Sequence, residues 1–218
     1  LFLSVVLGCK VNSDKKMTSG LILTFDDRNM LRWEKQIPLF ARYNAHVTFF
    51  IDHFDGLTPD QITALHKLKD AGHAIGCHSL NHLRAVDFCE KNSVEKYLSD
   101  EIIPAIKMMQ DKGFHPISFA YPNSNSNEET DKALLKYFRH LRSGCPVDVK
   151  IENTDRAFVR IEDIKEKGRI DGVGFHSKLK TDDLVDQAKK AIDRIQKNGE
   201  ILELILLQVH QLTKFSKF

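Results

Sequence analysis

Cysteine is scarce in this chain: Cys9, Cys77, Cys89 and Cys145 are the only four in 218 residues, and no two form a CxxC pair. That excludes a disulfide-stapled scaffold. A charge excess of either sign is also missing, since the formal net charge is only +2. With no basic stripe interleaved with stacking aromatics, nucleic acid is not an expected partner. Long apolar runs are absent too. The one apolar stretch at the start, Leu1 to Leu7 interrupted by Ser4, is too short to cross a bilayer, and no later segment is long and apolar enough to do so. There is no internal repeat and no low-complexity linker, and tryptophan occurs once, at Trp33.

What is present suits one substantial domain. Hydrophobic residues make up 42% of the chain, enough to build a core, while 28% charged residues argue for a solvated body. The first residues differ in character from the rest. Val6-Leu7-Gly8-Cys9 follows an apolar run and precedes Lys10, and it resembles a bacterial lipobox in which Cys9 is lipidated. On that reading residues 1–19 are a truncated signal and polar spacer, and residues 20–218 form the folded domain. The chain would then be exported to the cell envelope, touching the membrane only through its lipid. A buried N-terminal strand is the other reading of the same residues.

Hydrophobic periodicity orders the domain. Residues 21–25 read as a strand, 29–43 as a helical segment with a boundary at Pro38, and His46 to Ile51 as a second strand. Thr58 caps a helix starting at Pro59, with Ile62, Leu65 and Leu68 at helical spacing and Gly72 as its stop. The alternation then repeats. Residues 73–79 and 115–122 read as strands, with a helix from Val94 to Met109 between them. Asn127 to Phe138 reads as a helix. Short strands follow near Val159 and from Gly172 to Phe175, then the amphipathic helix Asp182 to Lys197 and a strand over 201–210. Such alternation implies parallel βαβ units, in either an open sheet or a barrel. Ligands belong beyond the carboxyl ends of the strands in both cases, and Asp26, Asp27, His78, Tyr121 and His210 all fall near such ends.

The chemistry concentrates in two short stretches. "LILTFDD" ends a strand in two adjacent acids, Asp26 and Asp27, whose side chains would face opposite ways if the strand continued through them. "HSLNH" sets His78 and His82 four residues apart, close enough to converge from a helical turn or from a loop entering a helix. Two neutral imidazoles and a carboxylate make a common divalent-ion site with open positions, and either Asp26 or Asp27 could supply the carboxylate.

These stretches, in this order, resemble the NodB-homology polysaccharide deacetylases, carbohydrate esterase family four. "TFDD" at Thr24 to Asp27 matches the family's first motif, "HSLNH" its HSxxH motif, and "HVTFFI" its TFF strand; the similarity runs over roughly residues 20–210. The resemblance implies an α/β fold, a distorted parallel (β/α) barrel. It implies a metal-dependent hydrolase that removes acetyl groups from N-acetylated or O-acetylated sugars of a polysaccharide. It implies that Asp27, His78 and His82 hold one divalent ion, expected to be zinc, and that Asp26 is the general base toward the attacking water. His210, in "LLQVHQL", matches the late LxH motif and would be the general acid on the leaving sugar.

The third motif departs from the usual RxPxG. In "FAYPNS", Ala120 stands in place of the arginine that orients the base and Ser124 in place of the glycine, while Pro122 matches. The Tyr121 backbone N–H is the expected oxyanion donor, and Asp26 loses one expected cationic neighbour, which either alters its pKa or leaves its orientation to another residue. Gln208 stands where a leucine usually borders the acetyl pocket. Two other readings therefore stay open: a catalytically inactive surface carbohydrate-binding lipoprotein, and a metal hydrolase of another amide or ester. Among the remaining candidates, Trp33 is expected to pack rather than stack on sugar. His176 is expected to be a loop residue, and Cys77 is not expected to be a nucleophile. The sequence leaves oligomeric state open.

Overall fold

The structure is a computed structural model that describes residues 19–145, 151, 154–174 and 181–206, with only the backbone of 181, 182 and 184. Its strands are β1 (Gly20–Asp26), β2 (Thr48–Ile51), β3 (Ala74–Cys77), β4 (Ser118–Ala120), β5 (His140–Gly144), β6 (Phe158–Val159), β7 (Arg169–Gly174) and β8 (Ile201–Leu206). Seven of them pair in parallel in the order β1-β2-β3-β4-β5-β7-β8, and β8 returns to β1 along six residue pairs, from Gly20↔Ile201 to Phe25↔Leu206. The sheet is therefore a closed barrel. Only β6 runs antiparallel, against the start of β8.

Closure explains the composition of the last strand. Every residue of Ile201–Leu206 is buried, as expected for a strand covered on both faces. Glu203 is the one charged residue in it.

The connections are helical: α1 (Met30–Trp33), α2 (Ile37–Arg42), α3 (Pro59–Asp70), α4 (Ala85–Lys91), α5 (Val94–Tyr97), α6 (Ile103–Asp111), α7 (Glu128–Leu134), α8 (Ile161–Lys167) and α9 (Thr181–Asn198). The expected cap of α3 is present. Thr58 Oγ1 accepts from Gln61 N and Gln61 Oε1 accepts from Thr58 N, with Pro59 at the first helical position. Trp33 is fully buried and stacks on Phe49 with ring centroids 4.8 Å apart, so it packs as expected.

Two segments read as helical, one with an expected boundary at Pro38, are interrupted. Residues 29–43 break into α1, a 3₁₀ turn over Glu34–Gln36, and α2. The Val94–Met109 helix contains a π turn over Leu98–Ile102 between α5 and α6. Pro104 explains the second interruption: it has no N–H to donate, and a local widening of the turn accommodates that gap. Strand β5 was not anticipated at all, nor were α4 and α8. Since the barrel strands are parallel, the carboxyl ends of β1 to β5 open at one mouth.

Candidate metal and catalytic site

Strand β1 delivers Asp26 as its last residue, 6% exposed, and the chain then turns sharply, with Asp27 at φ 77°. Aspartate tolerates this left-handed conformation better than most residues. The two adjacent acids thereby part company: Asp26 stays buried in the barrel, and Asp27 stands half exposed at the mouth.

His78 follows β3 directly. Its N–H continues the sheet pattern by donating to the Ile51 carbonyl at 2.9 Å. Its imidazole is buried, and Nδ1 lies 2.7 Å from the Ala120 carbonyl oxygen. A carbonyl only accepts, so Nδ1 carries the proton and Nε2 presents a lone pair. Burial pushes the proton affinity of His78 down, which favours the neutral imidazole a metal requires. Ala120, where an arginine is usual, thus contributes through its backbone.

His82 is brought back by a loop, not by a helical turn: Ser79 and His82 have φ 66° and 55°. The loop is gripped from outside. Glu101, fully buried in the π turn, accepts from Asn81 N at 2.8 Å and from Asn81 Nδ2 at 2.6 Å.

The outcome is a convergent triad in which Asp27 Oδ1 lies 3.9 Å from His78 Nε2 and 3.7 Å from His82 Nε2. Ligand atoms about 2.1 Å from one tetrahedral ion sit about 3.4 Å from each other, and all three ligand atoms here lie within 4.8 Å of one another, so seating an ion requires them to draw closer. The donor set also fits chemically, with two imidazole nitrogens, one carboxylate and half-exposed Asp27 leaving room for further ligands. Asp27 is held above the ordinary carboxylate range, chiefly by desolvation, with Asp26 and Asp52 adding to it and His78 opposing. A cation would reverse that direction. Asp27, His78 and His82 are the possible metal-holding group found among the described residues.

With Ala120 in place of the expected arginine, the orientation of Asp26 falls to another residue. Arg142, in the unanticipated strand β5, reaches across the barrel and ion-pairs with Asp26 through Nη2. Both side chains are buried. The guanidinium also lies 5.2 Å from the Phe50 ring centroid and places Nε 3.6 Å from Glu203 Oε1. Three different strands therefore fix it. Glu203 is the second functional candidate that sequence reasoning missed; burial pushes its carboxyl up to about 7, with Arg142 opposing. Its signal was a lone acid inside the apolar run "ILELIL".

Tyr121 is a correction. Its N–H donates to the Arg142 carbonyl at 2.9 Å, so this donor is committed to the β4–β5 ladder and is not free for an oxyanion. Its side chain is buried, with the hydroxyl donating to Asp131 at 2.7 Å. Cys77 is buried and its thiol is pushed up to about 12, in keeping with an inert side chain. Cys9, His176, Gln208 and His210 lie outside the described residues.

A polysaccharide deacetylase family model matches residues 13–138 of the chain. Among solved structures, a Streptococcus mutans CE4 esterase is similar with a TM-score of 0.59 and 15% identity, over 91% of this chain and 79% of that one. A family 4 carbohydrate esterase from Streptomyces lividans, solved with acetate, gives 0.56 and 14%, over 91% and 85%. A CE4 family pseudoenzyme from Bacillus anthracis gives 0.54 and 14%, over 94% of this chain but only 61% of its own length. No curated protein matches. The first two solved structures are thus spanned more fully than the third, and at such identities all three speak to the barrel alone. The family model covers more than half of the sequence, including TFDD and HSLNH, and the chain belongs to the polysaccharide deacetylase family of NodB homology.

Proposed function

We propose that the chain is a metal-dependent hydrolase that removes acetyl groups from N-acetylated sugars of a polysaccharide, with water as nucleophile. The observation that carries this reading is the Asp26–Arg142 ion pair set one residue before the Asp27, His78 and His82 group. A general base needs a fixed orientation beside the reacting water, and a buried ion pair on the residue next to Asp27 supports that role for Asp26.

Asp27, His78 and His82 would hold the ion, and their nitrogen and oxygen donors suit zinc. When bound, such an ion supplies Lewis acidity and lowers the pKa of water near it. The other steps belong to side chains. Asp26 takes the proton of the attacking water, and the ion pair with Arg142 holds its carboxylate in one orientation. His210 is proposed to return a proton to the leaving sugar nitrogen; β8 ends at Leu206, in register with Phe25, and His210 lies four residues further along the sequence. The lipobox-like Val6 to Cys9 stretch supports a location at the bacterial envelope, where such glycans occur.

The reading of an inactive binding protein rested on the missing arginine, and Arg142 removes that support. The test is to load the purified chain with zinc and measure acetate release from N-acetylated chito-oligosaccharides with and without chelator. Chelator-sensitive release that Asp26→Asn abolishes, with about one zinc retained per chain, supports the proposal. Equal release by Asp26→Asn removes that residue from the role of base. No release from any acetylated sugar by the zinc-loaded wild type would overturn the deacetylase reading.

A further inference from the structure

Strand β2 ends at Ile51, and the next two residues carry chemistry that the hydrolytic reading does not use. Asp52 is buried at 4% exposure and holds two partners: His53 Nδ1 at 2.7 Å from Oδ2, and Arg28 Nε at 3.4 Å from Oδ1. His53 itself is about one third exposed, and no described residue bonds its Nε2. The pair sits beside the proposed metal group. The His53 N–H donates to the Leu80 carbonyl at 2.7 Å, inside the HSLNH loop, and Arg28 follows Asp27 in the chain.

The backbone at His53 makes the side chain informative. It occupies the left-handed region, at φ 42° and ψ 47°. That conformation is strained for an ordinary L-residue and free of strain for glycine. Here it carries an imidazole whose Nδ1–H is tied to a buried carboxylate, so its tautomer and ring orientation are fixed. In the neutral ring the remaining nitrogen, Nε2, is an acceptor, on a side chain about one third exposed. A strained residue with an oriented, unused polar atom beside a reactive centre points to ligand contact.

We propose that His53, oriented by Asp52, forms a substrate subsite on the β2 side of the mouth, where Nε2 accepts a hydrogen bond from a hydroxyl of the polysaccharide. Arg28 neutralises Asp52 and keeps the subsite suited to an uncharged sugar. This inference rests on the deacetylase reading above and adds a substrate-binding residue to it.

The experiment measures binding of N-acetylated chitopentaose to the full, zinc-loaded chain by calorimetry, in an Asp26→Asn background that prevents turnover. His53→Asn is the informative variant. Asparagine tolerates the left-handed backbone and can still donate to Asp52 through its amide, but it lacks the outward nitrogen. Removing one hydrogen bond of this kind weakens binding about three- to tenfold, with zinc content and melting temperature kept. His53→Gly, which relaxes the backbone, should show the same loss of affinity. Unchanged affinity in both variants would overturn the proposal, and so would loss of zinc or folding in His53→Asn, since that marks a structural role. If the wild type neither binds chitopentaose nor releases acetate from it, the deacetylase reading fails and the subsite fails with it. That outcome is distinct because it does not involve His53.

Discussion

Three buried charges meet inside the barrel, Asp26, Arg142 and Glu203, and one cation cannot neutralise two carboxylates. Glu203 absorbs the mismatch, with its carboxyl pushed up to about 7 by burial. In the unfolded chain it titrates near 4.5, so between those values the folded protein binds the extra proton. Stability then falls as pH rises through that window. The contribution is fully present below pH 4.5 and lost above about 7, and for so buried a group it is on the order of 3 kcal/mol. Glu203→Gln should flatten this part of the profile and make the protein more stable than wild type at pH 8. Urea midpoints from pH 5 to 8 provide the measurement, and parallel profiles for the two proteins would reject Glu203 as the source.

At the scale of elements, β5 separates what could be read in the sequence from what could not. Its sequence, HLRSG, has one strongly apolar residue, because Arg142 and Ser143 are buried against polar partners rather than hydrocarbon. Periodicity detects apolar faces and is blind to a strand whose inward side chain is a paired guanidinium. The proposed base and its motif were legible at Asp26, whereas its cation, 116 residues away in sequence, depended on barrel closure. HSLNH was legible for the opposite reason: both imidazoles lie within five residues. What holds that loop was not legible, since Glu101 reaches Asn81 only through the π turn that Pro104 accompanies. A charge-assisted double contact of this kind orients metal ligands at one remove. Glu101→Ala should weaken zinc affinity about tenfold to a hundredfold, by analogy with other supporting residues around metal sites. Asn81→Ala keeps the backbone N–H that Glu101 accepts and should weaken affinity less, and the double variant should be little worse than Glu101→Ala alone, because the two residues act through the same pair of hydrogen bonds. Competition with a chromophoric chelator reads all three, and additive losses would show that the residues act separately.

Across the whole molecule, the proposed ligands tie together parts of the barrel that are otherwise joined only by the sheet. Asp27 leaves β1, and the two histidines leave β3, with β2 between them. An ion held by all three binds the folded barrel and not the unfolded chain, so its binding free energy adds to stability. Free zinc at a thousand times its dissociation constant contributes about 4 kcal/mol. For a domain of this size that corresponds to a rise of about 8–16 °C in melting temperature, at about 2–4 °C per kcal/mol. Chelator should remove the rise in wild type, and His78→Ala should show little rise to remove. Asp26→Asn should keep it, because Asp26 faces Arg142 and is not among the three converging ligands. Scanning calorimetry with zinc and with chelator distinguishes these cases. A zinc-dependent rise that survives in His78→Ala would place the ion elsewhere, while its loss in Asp26→Asn would give the buried acid a share in coordination and weaken its assignment as the base.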